Sequence, residues 1–124
     1  DIDDISDYKS DKVAVQSILQ NLFENGLKYR DEKKSNAFLK IKIKRSQDFI
    51  EILFEDNGIG IDNEEKDKIF QMFYKISSNS HGTGLGLYIV QLSVKKLGGS
   101  IELFSEINKG SRFKILLPYN VSFN

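Results

Sequence analysis

Apolar residues recur at helical spacing over residues 12–29, where Ile18, Leu19, Leu22, Phe23 and Leu27 mark one side. Ser10 or Asp11 stands where a cap would start this helix. A charged segment, Arg30 to Asn36, interrupts the pattern. From 37 to 45 the period drops to two, with Leu39, Ile41 and Ile43 alternating against Lys40, Lys42 and Lys44. This predicts a half-buried strand. Ser46-Gln47-Asp48 reads as a turn, and a second strand over 49–55 sets Ile50, Ile52 and Phe54 on one face, so the two runs should pair as a hairpin.

Asp56-Asn57-Gly58-Ile59-Gly60 breaks the alternation as a loop. Asp62 and Glu65 have the spacing of a capping box, and the acidic pair Glu64-Glu65 suits a helix N-terminus, so a short helix is predicted to about Phe73. Residues 75–84 are rich in Ser, Asn and Gly and predict a mobile segment. Leu87, Val90, Val94 and Leu97 mark the face of another helix, stopped by Gly98-Gly99. Two more strands are predicted near 100–105 and 111–117, joined by a turn at Asn108-Lys109-Gly110. The predicted architecture is a two-layer α/β (α+β) sandwich, a mixed sheet with about three helices on one face, in a single domain spanning 1–124.

Composition narrows the class. The 124 residues are 40% hydrophobic, with nine Phe and five Tyr, enough for one modest core. Lys+Arg and Asp+Glu are both 18, and this balance argues against general nucleic-acid binding. The absence of cysteine excludes disulfides and thiolate metal sites, and a cytoplasmic setting fits. No apolar run approaches membrane-spanning length, so no membrane contact is expected. The chain starts at Asp1 in an acidic, weakly patterned stretch, and it is expected to be a fragment of a longer protein.

Three segments carry candidate chemistry. In projection at about 100° per residue, Asn21, Asn25, Lys28 and Tyr29 fall within roughly one third of the first helix's circumference, bordering the apolar arc. A half-buried amide needs a partner, and its oxygen is a hard neutral ligand suited to magnesium. Lys28 offers a point charge for phosphate. An amphipathic helix with solvated amides explains the same residues. Asp56 ends a strand where Gly58 and Gly60 allow close approach of a ligand, and a carboxylate there can accept from the exocyclic amine of adenine. An ordinary Asp-Asn-Gly turn is the other reading. Gly82-Thr83-Gly84-Leu85-Gly86-Leu87 leads straight into a helix, where backbone N–H groups and the helix dipole favour an anion. Neither Gly-Lys-Ser/Thr nor Gly-x-Gly-x-x-Gly occurs.

In this order, the segments 21–29, 56–61, 69–75, 82–87, 98–103 and 109–118 resemble the ATP-binding catalytic domain of bacterial sensor histidine kinases. That domain shares its fold (the Bergerat fold) with gyrase-type topoisomerases and the large heat-shock chaperones. The resemblance covers about residues 11–118 and implies roles by position. Asn25 would hold Mg2+, with Asn21 as helper and Lys28 on phosphate. Tyr29 would pack against ATP. Asp56 would receive the adenine amine, with Gly58 and Gly60 shaping that wall. Phe70 and Phe73 would belong to the phenylalanine box. Gly82, Thr83, Gly84, Leu85 and Gly86 would line the triphosphate. Ser111 keeps a hydroxyl where the family often has Thr.

Hydrolytic relatives carry Glu four residues before the magnesium Asn, whereas this chain has Asn21, which cannot take a proton from water. The resemblance therefore implies phosphoryl transfer rather than efficient hydrolysis. The only His, His81, lies in a glycine-flanked loop and is read as passive. The acceptor is expected on a histidine-bearing dimerisation hairpin of the same parent kinase, with a response regulator downstream. The domain alone would be monomeric and show little self-phosphorylation. A serine kinase of the anti-sigma-factor type and a degenerate nucleotide-binding module are the alternatives. Three departures stand out: no clear strand precedes the first helix, the lid is short, and Gly26 replaces the usual Ala.

Overall fold

The computed structural model describes residues 12–46, 48–71 and 85–118. The elements run α1 (Lys12–Lys28), β1 (Leu39–Arg45), β2 (Phe49–Asp56), α2 (Gly86–Lys96), β3 (Ser100–Glu106) and β4 (Gly110–Pro118). The caps proposed at Ser10 or Asp11 lie outside the described residues, as do Phe73 and the segment 75–84.

The sheet has four strands in the order β1-β2-β4-β3. Each neighbouring pair is antiparallel, so the mixed sheet expected from sequence is replaced, among the described residues, by an antiparallel one. The reason is topological. Two hairpins, β1–β2 and β3–β4, join through β2 and β4, which leaves β2 and β3 running the same way without touching.

Side-chain alternation sorts the sheet into two faces. Ile43, Ile52 and Ile115 share one inner row, and Phe54 and Phe113 the next. These side chains form one core with Ala14, Val15, Ile18 and Leu22 of α1 and Leu87, Val90 and Val94 of α2. Phe23 and Leu27, counted on the apolar side from their spacing, are instead 47% and 42% exposed. The buried stripe of α1 runs Val15, Ile18, Leu22 and on to Gly26, and Phe23 and Leu27 sit about 100° away from it. A Cβ on Gly26 would meet the end of the Leu39 side chain, which would have to turn aside.

The helix expected over 62–73 is not formed in its described part. Residues 63–70 are successive turns, with Glu65 N–H donating to Asp62 O and Lys68 N–H to Glu65 O. Ile61 and Ile69 anchor the segment in the core, but Asn63 to Lys68 between them are polar. Too little apolar surface is buried to offset helix nucleation. The described residues therefore hold two α-helices rather than about three. The stop at Gly98-Gly99 is a Schellman-type cap, with Gly99 N–H on Val94 O, Gly98 N–H on Lys95 O, and Gly98 at φ +75°.

Candidate functional site

The last inner row of the sheet is polar: Asp56 on β2 stands opposite Ser111 on β4, which stands opposite Ser105 on β3. Asp56 Oδ1 accepts the Gly58 N–H at 2.8 Å, and the carboxylate also accepts the backbone N–H of Ser111. Burial pushes the Asp56 pKa above its ordinary value, and these two hydrogen bonds and the Lys34 charge only partly oppose it. A desolvated carboxylate with lone pairs still unused suits a polar hydrogen from a ligand.

Ser105 completes this corner. Its Oγ accepts the Ile61 N–H at 2.8 Å, donates to Gly110 O at 2.9 Å and lies 2.7 Å from Ser111 Oγ. One proton arrangement satisfies all three contacts: the Ser111 hydroxyl donates to Ser105. Ser111 then offers only lone pairs to anything beside it, as the Asp56 carboxylate does.

The C-terminal end of α1 closes on this corner. Ile59 N–H donates to Tyr29 O at 3.1 Å, and a Cβ on Gly58 would lie 2.5 Å from that same carbonyl. The absence of a side chain at Gly58 thus lets helix and loop meet. Gly60, with φ +77°, does comparable work on the other side, because a Cβ there would meet the Glu106 carbonyl. The structure places Gly60 against the β3–β4 turn.

One and two turns back along α1 lie the two amides, Asn25 and Asn21. Asn21 Nδ2 donates to Ser17 O at 2.7 Å, which fixes the amide with Oδ1 turned toward the start of α2, 3.3 Å from where a Gly86 Cβ would sit. Asn25 is half-buried, and its side chain has no hydrogen-bond partner among the described residues. A half-buried amide oxygen without a partner fits a cation that keeps most of its waters and takes few protein ligands. Among the described residues no group of three His, Cys, Asp or Glu side chains forms a metal cage. Helix α2 starts at Gly86 after Leu85, and among the described residues no side chain caps its first N–H groups.

Lys28 rests its Nζ 5.1 Å from the centroid of the Tyr29 ring, a cation–π contact rather than a free charge. Phe70 packs edge-on to Phe113, centroids 6.3 Å apart, and so anchors the post-loop segment to the sheet. Phe73, Gly82, Thr83 and Gly84 lie outside the described residues. Two groups thus form: Tyr29, Asp56, Gly58 and Ser111 where the end of α1 meets the loop after β2, and Asn21 with Gly86 where α1 meets the start of α2. Asp56 borders a cleft of about 440 Å³ shared with Ser105, Ser111, Phe104 and Arg112, and a hollow of about 220 Å³ shared with Gly26, Leu27 and Gly58.

Sequence reasoning missed Ser105, Asn57 and Lys34. Ser105 had a usable signal, because a three-residue turn over 107–109 puts 105 opposite 111. Asn57 binds through its side chain to Phe38 N–H and Asn36 O, contacts with no periodic signature.

Residues 10–121 match the protein family described as "Histidine kinase-, DNA gyrase B-, and HSP90-like ATPase". Over 97 residues the chain is 44% identical to the signal transduction histidine-protein kinase ArlS of Staphylococcus aureus (strain USA300), covering 75% of this chain and 21% of that protein. The chain thus spans about a fifth of the length of this curated relative. The mycobacterial sensor histidine kinase MprB has a similar structure, with a TM-score of 0.74 at 24% identity over 88% of this chain and 72% of that one. The catalytic domain of the histidine kinase ThkA gives a TM-score of 0.72 at 27% identity, over 88% and 68% of the two chains. Among the described residues no helix is long and apolar enough to cross a membrane.

Proposed function

Because the chain belongs to the histidine kinase-, DNA gyrase B- and HSP90-like ATPase family, we propose that it binds Mg-ATP and donates the γ-phosphoryl group to a histidine on a separate helical hairpin of a sensor kinase. The observation that carries this reading is the acceptor-only corner formed by Asp56 and Ser111, packed through Gly58 against the end of the helix that carries Asn25. Two acceptors facing one edge favour the amine of adenine over the carbonyl of guanine, which would leave them unpaired.

Asn25 would hold magnesium through its amide oxygen, with Asn21 beside it. Magnesium would supply charge neutralisation across the phosphates. Tyr29 would pack on the nucleotide. Lys28 would leave the Tyr29 ring to reach a phosphate oxygen. The backbone of Gly82 to Gly86, with the Thr83 hydroxyl, would line the triphosphate and meet the uncapped start of α2. In the transfer step, a neutral imidazole nitrogen attacks the γ-phosphorus. The bond to the β–γ bridging oxygen breaks, the N–P bond forms, and ADP leaves with that oxygen's electron pair. Catalysis of this kind is mostly positioning and electrostatics. Glu24 neighbours Asn25 on the helix and is exposed, and Asn21 cannot act as a base toward water, which favours transfer over hydrolysis. Identity to a signal-transduction histidine kinase supports histidine as acceptor and a response regulator as the downstream partner.

Calorimetry with ATP and Mg2+ tests the binding half. Asp56→Asn is expected to weaken ATP binding by about 1–3 kcal/mol, since it opposes an N–H donor to the adenine amine. Unchanged affinity would remove the adenine assignment. Asn25→Ala is expected to abolish labelled-phosphoryl transfer to a supplied histidine hairpin. Its thermal unfolding should be unchanged within about 0.5 kcal/mol, because Ala is the better helix former. Transfer only to a serine-bearing protein would replace the histidine acceptor.

A further inference from the structure

Lys34 lies in the charged segment between α1 and β1. Its ammonium donates to the carbonyl of Asn57 at 2.7 Å and to the carbonyl of Asn108 at 2.8 Å. A surface lysine normally keeps its ammonium in water, because ordering its long stem costs rotamer entropy. Here two of its three hydrogens are committed to backbone carbonyls more than 50 residues apart in sequence, at 57 and 108.

Both carbonyls belong to the corner that holds Asp56. Asn57 separates Asp56 from Gly58, the residue whose N–H the carboxylate accepts. Asn108 donates its own N–H to Ile59 O at 2.8 Å, and Ile59 donates to Tyr29 O. The Asn57 side chain in turn grips Phe38 N–H and Asn36 O, so the segment carrying Lys34 is pinned to the same loop. The loop is therefore held at three points: by the end of α1, by the 36–38 segment and by the β3–β4 turn. Lys34 bonds the loop, at 57, and the turn, at 108, with one side chain.

We propose that Lys34 is a positioning residue: its ammonium clamps the Asp56-Asn57-Gly58 loop to the β3–β4 turn and so aims the Asp56 carboxylate at the adenine amine. The aiming rests on the Mg-ATP reading above, while the clamp is a property of the chain without ligand. Lys34 itself does not touch the nucleotide.

The test uses Lys34→Met, which keeps the stem and removes the ammonium, and Lys34→Arg, which keeps two donors for the carbonyls. Amide exchange without nucleotide reads the clamp. Gly58 and Ile59 are expected to exchange about tenfold faster in Lys34→Met, with Ile52 and Ile115 in the core unchanged. Equal exchange at Gly58 and Ile59 overturns the clamp. Calorimetry with ATP, Mg2+ and a double-mutant cycle reads the aiming. Lys34→Met is expected to weaken ATP about tenfold in the parent chain, less than about twofold in the Asp56→Asn background, and Lys34→Arg to recover most of the loss. Equal losses in both backgrounds overturn the aiming, since they mean direct phosphate contact or general loosening. A parent chain that fails to bind ATP sinks the Mg-ATP reading and the aiming with it, and the exchange result then decides the clamp alone.

Discussion

Asp56 shows how one residue carries opposite demands. Its pKa is raised from 3.8 because burial disfavours the charged form more than the Gly58 and Ser111 N–H groups and Lys34 favour it. The folded state holds the proton more tightly, so the contribution of Asp56 to stability is full below pH 3.8 and is lost as pH rises through its higher folded value. For the proposed ligand the sign reverses, because the ionised carboxylate is the better acceptor. ATP affinity is expected to be flat at neutral pH and to fall on acidification, starting at a higher pH than an ordinary aspartate would give. Calorimetric titration from neutral to mildly acidic pH checks this, with Asp56→Asn as the reference that separates protonation of Asp56 from protonation of the nucleotide. A matching fall in both proteins would remove Asp56 as the cause.

At the scale of elements, α1 does two jobs with adjoining arcs. Ile18 and Leu22 are fully buried between α2 and the sheet, whereas Asn21, with its amide oxygen toward Gly86, and Asn25 are only half-buried. The stripe is narrow enough that Phe23 falls outside it. Ile18→Ala is expected to cost about 2–5 kcal/mol through lost transfer energy and a residual cavity. Phe23→Ala should cost less than about 1 kcal/mol, as its ring is nearly half exposed. Urea unfolding of the two variants measures the contrast, and equal costs would contradict the placement of the stripe. The same comparison explains the missing helix over 63–70: two buried isoleucines at its ends hold a chain of turns in place but supply no continuous apolar arc.

For the whole molecule, close backbone contact decides how the loop after β2 meets the β3–β4 hairpin. Gly110, at φ +120°, sits where a Cβ would run into Asp56 O, and Gly60 makes the mirror approach to Glu106. Neither contact can relax by turning a side chain, because the obstructing atoms are backbone. Gly110→Ala is expected to destabilise the fold by at least about 2 kcal/mol, through strain at positive φ and displacement of the loop. Thermal unfolding gives the cost, and a change below about 0.5 kcal/mol would contradict this packing. Because the loop carries Asp56, the same variant should weaken ATP binding by more than its loss of folded population accounts for.

Much of this was legible in the chain itself. The period-two runs gave β1 and β2, and the helical spacing of Leu87, Val90 and Val94 gave α2, because repeating burial leaves a repeating trace. The ordered set of Asn, Asp and glycine positions pointed to the family, since each motif asks for a residue type that packing alone seldom demands. What no local pattern encodes is which segments are brought side by side. The order β1-β2-β4-β3, the hydroxyl pair Ser105–Ser111, and the reach of Lys34 to carbonyls at 57 and 108 depend on strands meeting across long separations. The chain determined which residues could bind. Tertiary structure decided which stand together, because contact between distant segments is set by the packing of whole elements, and a one-dimensional period carries no record of it.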